Sequence, residues 1–284
     1  MTELPSFAMR VSDVSSSKAF LTEKLGFTLI EHKPDEDIAY LLDTDGDALL
    51  LAGPTAHDPS SYLSPQLHIV QPGEVIRFAG GDLQARQADL LSKGLTNFQI
   101  ERNRIGDSVL VLPVFDNYMF HYIVPATLAF SDLLDMYARL STELDEALAG
   151  LSEADMGLAL GEESWSIRQI VHHVADTDIL VGQVMKVQLS SSGKVMERPP
   201  EVGNEHVTTR PEYRDRPIAG SVALSRIFHE HILDIVKYVP DAGKHYVAES
   251  NGRQHTFSQM VQLVVGHTEE HLDEVREIRQ KYGK

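Results

Sequence analysis

His267 and His271 stand four residues apart, and Met260, Val264, His267, His271, Val275 and Ile278 recur at helical spacing. Both rings are therefore expected on the buried stripe of an amphipathic helix over Thr256–Lys281. A polar ring in such a stripe costs free energy unless it finds a partner. Side chains at i and i+4 are neighbours on a helix, and this is the reach two imidazoles need to share one metal ion. Two core histidines bonded to protein groups would leave the same pattern, so a third member has to be sought.

The stretch "WSIRQIVHHVADTD" supplies two candidates. Ile170, His173, Thr177, Leu180, Val184 and Val187 form one stripe. His172 points about 100° away, beside Arg168 and Asp176, on what reads as the polar face. The facing argument therefore selects His173. Three inward histidines from two helices match a catalytic zinc-type arrangement, with three protein ligands and one open position; three separately satisfied core histidines are the alternative. Asp176, Glu269 and Glu270 are candidates to orient the second ring nitrogens, against a reading as solvated helix charges. Trp165 reads as packing near a helix start, and His229 and His231 read as surface residues around Glu230.

Four helices have to position these groups. Leu133, Leu134, Tyr137, Leu140, Leu144, Leu148 and Leu151 mark the first, ending near Gly150. Ser166 with Gln169, and Thr256 with Gln259, form capping boxes that open the second and fourth. The second runs to about Ser190 and the third covers Ser221–Tyr238. Tyr246–His255, with Asn251-Gly252 at its centre, reads as a hairpin. Ser191–Gly220 is a long aperiodic loop, of a size that is often functional. Its Arg198, Arg210, Arg214 and Arg216 are a local basic cluster, with Arg210 and Arg214 the candidate contacts for carboxylates of a small ligand. The pattern is a four-helix bundle with one long crossover.

Upstream of the Pro125-Ala126 joint the pattern is different. Strand candidates Phe7–Ser12, Phe27–His32, Ile38–Asp43 and Ala48–Ala52 enclose a helix, Ser16–Leu25, that Gly26 should end in a left-handed conformation. The order recurs with a strand at Gln66–Val70, a helix Asp82–Lys93 closed by Gly94, and strands Phe98–Glu101, Ser108–Pro113 and Met119–Val124. This is βαβββ twice, an internal duplication. The expectation is an α+β chain with domains at 1–125 and 126–284.

Composition narrows the function. With 42 acidic against 25 basic residues the formal charge is −17, which argues against nucleic acid or an anionic membrane as partner. The 284 residues include no cysteine, so a thiolate nucleophile and sulfur-ligated metal are excluded. No run of about 18 apolar residues is present, and Met1–Arg10 lacks a secretory pattern. A cytoplasmic protein is expected.

Two resemblances follow from these motifs. "VSDVSSSKAFLTEKLGF" and "FDNYMFHYI" resemble the opening module and closing strand of the glyoxalase/bleomycin-resistance (vicinal oxygen chelate) superfamily, over about 120 residues, although the usual Gly before Asn117 is absent. Metal-using members of that superfamily carry ligands on the first, fourth, fifth and eighth strands. Here those positions fall at about Ser6, on Asp47–Ala52 without an inward Glu, at His68, and at Phe120 or His121. The resemblance with these departures implies a metal-free module, a pocket for an apolar ligand or an assembly surface; His68 and His121 as a residual pair are the alternative.

"WSIRQIVHHVADTD" with "HTEEHLDEV" resembles the DinB/YfiT-like superfamily over residues 127–284. That resemblance implies that His173, His267 and His271 hold one divalent ion per chain, nickel or zinc. It also implies a metal-dependent thiol S-transferase joining a low-molecular-weight thiol such as bacillithiol, mycothiol or glutathione to a small electrophile, in detoxification. A metal-dependent hydrolase is one alternative, and a non-catalytic binder that sequesters a toxic compound is another. A homodimer is an open expectation.

Overall fold

In the computed structural model, which describes residues 7–44, 48–57, 68–70, 75–161, 164–196, 211–248 and 254–284, the chain separates into two compact units, Met1–Ala126 and Thr127–Lys284.

The first unit repeats one connection. β1 (Phe7–Arg10) leads into α1 (Val14–Lys24), then β2 (Thr28–Lys33), β3 (Ile38–Leu42) and β4 (Ala48–Ala52). β1 pairs parallel with β4, Phe7 opposite Leu49, and β4, β3 and β2 follow antiparallel. Next, β6 (Val75–Ala79), α2 (Leu83–Ser92), β7 (Gln99–Arg102), β8 (Ser108–Pro113) and β9 (Met119–Val124) reproduce the pattern, with Val75 opposite Met119 in the parallel pair. Gly26 and Gly94 take positive φ after α1 and α2, where an L side chain would be strained. Met9, Leu41 and Leu51 of the first sheet share a core with Phe78, Leu112 and Phe120 of the second, and with Leu21 and Leu90 of the helices.

The duplication opens differently from the sequence expectation. The second repeat begins on β6, not on Gln66–Val70. The alternation of Val75-Ile76-Arg77-Phe78-Ala79 gives β6 its buried Ile76 and Phe78, a period-2 signal that the expectation passed over. His68–Val70 forms a short β5 that adds to the free edge of β1, with Phe7 opposite His68. His68 therefore lies on the five-stranded sheet and His121, opposite Arg77 and Val111, on the four-stranded one. Ser6 lies outside the described residues.

The second unit is the expected bundle. α3 (Phe130–Leu148), α4 (Ile167–Ser190), α6 (Ala219–Val236) and α7 (Phe257–Tyr282) are its long helices. α3 packs on α6 and α7, and α4 packs on the same two, so α3 stands diagonal to α4 and α6 to α7. Both capping boxes are formed, Ser166 with Gln169 and Thr256 with Gln259. Leu144, Ile170, Val171, Val174, Leu272, Val275 and Ile278 join α3, α4 and α7 in one core. The crossover read as aperiodic holds β10 (Lys194–Val195), parallel to β11 (Tyr246–Ala248), and α5 (Pro211–Asp215). β11 pairs antiparallel with β12 (Gln254–Thr256); the Asn251-Gly252 turn between them lies outside the described residues. No described helix is long and apolar enough to cross a membrane.

α4 and α6 approach closely where α4 carries Gly182. A Cβ at that position would come within 1.8 Å of the Phe228 ring.

Candidate metal centre

The deepest face of α7 carries Phe257, Val261, Val264, Val265, Thr268, Leu272, Val275 and Ile278. His267 and His271 stand at the border of this stripe rather than along its centre, each partly exposed. His173 occupies the same kind of border position on α4. The three rings meet where α4 packs on α7. Their centroids lie 5.0 Å (His173–His267), 4.9 Å (His173–His271) and 4.6 Å (His267–His271) apart. One nitrogen from each falls within 4.8 Å of the others, and Nε2 of His173 lies 3.0 Å from Nε2 of His267. Among the described residues this is the group of three or more His, Asp or Glu side chains placed to hold one ion.

The donor set fits a borderline divalent ion such as zinc or nickel, for which imidazole is a suitable ligand. It contains no carboxylate, so it would carry the full charge of whatever it binds. The carboxylate near the group is Glu274, whose Oε2 lies 3.0 Å from Nδ1 of His271. An Nδ1–H donated to this carboxylate fixes the tautomer and leaves Nε2 as the ligand atom. The sequence reading missed Glu274, although a carboxylate three residues beyond a histidine on one helix is a legible signal.

Asp176 accepts a hydrogen bond from the Tyr213 hydroxyl. Glu269 faces Arg276, 3.7 Å away, and Glu270 is exposed. Arg214 is exposed at the end of α5, while Arg210 and Arg198 lie outside the described residues.

Trp165 was read as packing alone, and its position is more specific. Its indole lies 4.7 Å from the His173 ring at 59° and stacks on His271 at 5.8 Å and 22°.

His172 corrects the polar-face expectation. It is fully buried, because α5 and the start of α6 dock over this turn of α4. Its Nε2 lies 2.9 Å from the Arg216 carbonyl and its Nδ1 2.8 Å from the Ser221 hydroxyl. Nε2–H therefore donates to the carbonyl, and Nδ1 accepts from the hydroxyl. Burial, above all, pushes its pKa below the ordinary histidine value, favouring this neutral form. Arg168 closes the same junction, bonded to Glu153 at 2.5 Å and to the Arg216 carbonyl at 3.2 Å.

His229 is a second correction, since it is buried rather than on the surface. Its Nε2 lies 3.2 Å from Asp178 and its Nδ1 3.1 Å from the Ser141 hydroxyl, and Ser225 donates to the same Asp178 carboxylate. Tyr137 packs on the ring at 4.6 Å. Burial and, next, the Asp178 charge push the Tyr137 hydroxyl well above its ordinary pKa.

With this geometry in place, comparison with known proteins adds context. The family model of the DinB superfamily matches residues 136–275. A candidate metal-dependent hydrolase of Oceanobacillus iheyensis is 23% identical over 158 residues, 54% of this chain and 88% of that protein. YfiT from Bacillus subtilis, described as a candidate metal-dependent hydrolase with an unusual four-helix bundle topology, aligns with a TM-score of 0.50 and 17% identity, covering 57% of this chain and 94% of that one. The carboxy-terminal unit thus resembles the DinB superfamily and shares the four-helix fold of YfiT. A glyoxalase/bleomycin resistance protein/dioxygenase superfamily member from Sphaerobacter thermophilus aligns with a TM-score of 0.33 and 18% identity, covering 43% of this chain and 97% of that one.

Proposed function

We propose that the carboxy-terminal unit is a metal-dependent enzyme that holds one divalent ion, zinc or nickel, on His173, His267 and His271. The observation that carries this reading is the convergence of three imidazoles from two helices at a partly exposed border of the bundle. When bound, such an ion is a Lewis acid that makes a nucleophile available near neutral pH. The rings supply neutral nitrogen donors, and Glu274 accepts the Nδ1–H of His271 so that this ring presents Nε2. Trp165 excludes water from one side of His173 and His271.

Hydrolysis of an ester or amide is the reading that the descriptions of the two DinB-like relatives favour. Transfer of a small thiol onto an electrophile, in detoxification, is the second reading. What supports it is that Arg214 and Arg216 carry exposed guanidinium groups on a segment joined to the helix of His173 through Tyr213 on Asp176 and the Arg216 carbonyl on His172; the proposal is that they receive the carboxylates of a thiol cosubstrate.

The test is metal analysis of the purified chain, followed by assays with ester, amide and thiol–electrophile panels. One equivalent of zinc or nickel and metal-dependent turnover are expected. Turnover without added thiol assigns hydrolysis; turnover that requires metal and thiol together assigns transfer. Failure to bind either metal at micromolar concentration overturns the proposal.

A further inference from the structure

We infer that Trp165 is a positioning residue for the three-histidine centre, holding the rings of His173 and His271 in the orientation that lets one ion use both. This rests on the metal-binding reading above and adds to it a residue outside the ligand set.

Trp165 immediately precedes Ser166, the N-cap of α4, whose capping box fixes the local backbone. A bridge between Ala159 and Ser166 ties the same segment to the preceding loop. The indole is thus held by the backbone on which it sits, and it packs against the core that joins α3, α4 and α7. From there it meets two candidate ligands that come from different helices. It tilts against His173 at 4.7 Å and stacks on His271 at 5.8 Å and 22°.

An imidazole on a helix has two side-chain torsions to settle before it can ligate. For His271 the Glu274 contact, 3.0 Å from Nδ1, fixes one edge but leaves rotation about that contact open. A flat surface lying parallel to the ring removes that rotation. The same surface limits the tilt of His173, so a single indole sets the angle between two ligand rings. Groups that orient metal-ligating histidines change affinity by about 10–100-fold when removed. A residue that only fills core volume would instead change stability and leave the affinity of the folded protein alone.

The experiment uses the full chain, stripped of metal, with zinc and nickel affinities measured by competition with a chelator. Because Trp165 is the one tryptophan of the chain, its emission reports directly on the site. In the wild type it should change on metal addition and saturate at one ion per chain. Trp165→Phe keeps a flat ring and should bind within about threefold of wild type. Trp165→Met keeps bulk without a ring and should bind roughly tenfold more weakly, while circular dichroism shows a folded bundle. Equal affinity of Trp165→Met and wild type overturns the positioning role and leaves the metal-binding reading intact. Absence of binding to the wild type overturns both. Should Trp165→Met fail to fold, Trp165→Leu takes its place: binding roughly tenfold weaker than Trp165→Phe supports the role, and affinity equal to that of Trp165→Phe overturns it.

Discussion

Two clusters of histidine lie in the same bundle, and their partners separate them. His229 is matched to Asp178 and Ser141, and His172 to a carbonyl and the Ser221 hydroxyl. His172 meets an acceptor and a donor complementary to its two nitrogens, which is how buried polar groups normally avoid their desolvation cost, and the His229 ring lies against a carboxylate and a hydroxyl. His173, His267 and His271 instead face one another, with two Nε2 atoms 3.0 Å apart. Imidazoles gathered in this way can each turn a ring nitrogen toward one point, an arrangement suited to a cation. Burial alone does not mark a ligand: the fully buried rings are the structural ones, and the candidate ligands are less deeply buried.

The comparison can be broken by substitution. The largest effect is expected at the facing group. His173→Ala, His267→Ala or His271→Ala should each lower metal affinity by more than the ~10–100-fold typical of losing an orienting partner, with the folded bundle retained in circular dichroism. A loss of less than tenfold at any of them would remove that residue from the set. At the matched group the loss should appear in stability. Asp178→Ala removes the acceptor of the buried Ser225 hydroxyl and the carboxylate beside His229 and should cost about 1–3 kcal/mol in urea unfolding, with unchanged metal affinity in the folded fraction.

His172→Ala sharpens the contrast, because it sits beside a candidate ligand. It should cost about 2–4 kcal/mol through the cavity and the lost acceptor of the Ser221 hydroxyl, while metal affinity stays within about threefold. Loss of affinity equal to that of His173→Ala would end the distinction between the two neighbours.

The smallest effect concerns Asp155, which accepts from Ser152 and Lys284. These hydrogen bonds, that of Lys284 foremost, hold its carboxyl far below the ordinary value. A depressed folded pKa contributes stability above the unfolded carboxylate pKa of about 3.9, and that contribution is lost as pH falls below it. Asp155→Asn should therefore be less stable than wild type at pH 7, and the two curves should converge on acidification below about pH 4.

Much of the bundle was legible because helix periodicity and caps are local. Ser166–Gln169 and Thr256–Gln259 announce their helices, and the i, i+4 spacing of His267 and His271 places them side by side. What was not legible depends on what docks from far along the chain. Arg216 and Ser221 cover His172, turning an expected polar face into the interior, and Asp178 and Ser141 do the same for His229. Asp176 reads as a candidate partner of the site until Tyr213, 37 residues on, claims it. In the amino-terminal unit the sheet hydrogen bonds are long-range. His68 looks like the start of a repeat; the alternation of Val75–Ala79 marks a strand, but the pairing of β5 with β1 and of β6 with β9 is what makes it the opening strand.

The close approach of α4 and α6 at Gly182 has a consequence for how this chain can diverge. A methyl group there would collide with the Phe228 ring, so position 182 is not free to vary while that ring is in place. Among descendants of this sequence, a side chain at 182 should be found only where 228 has given up its ring. His173 is nine residues up the same helix, about 13 Å at 1.5 Å per residue. A lone replacement of Gly182 would therefore register at the histidines as a shift of the whole helix, and selection on the site would be felt at a glycine that touches none of its members.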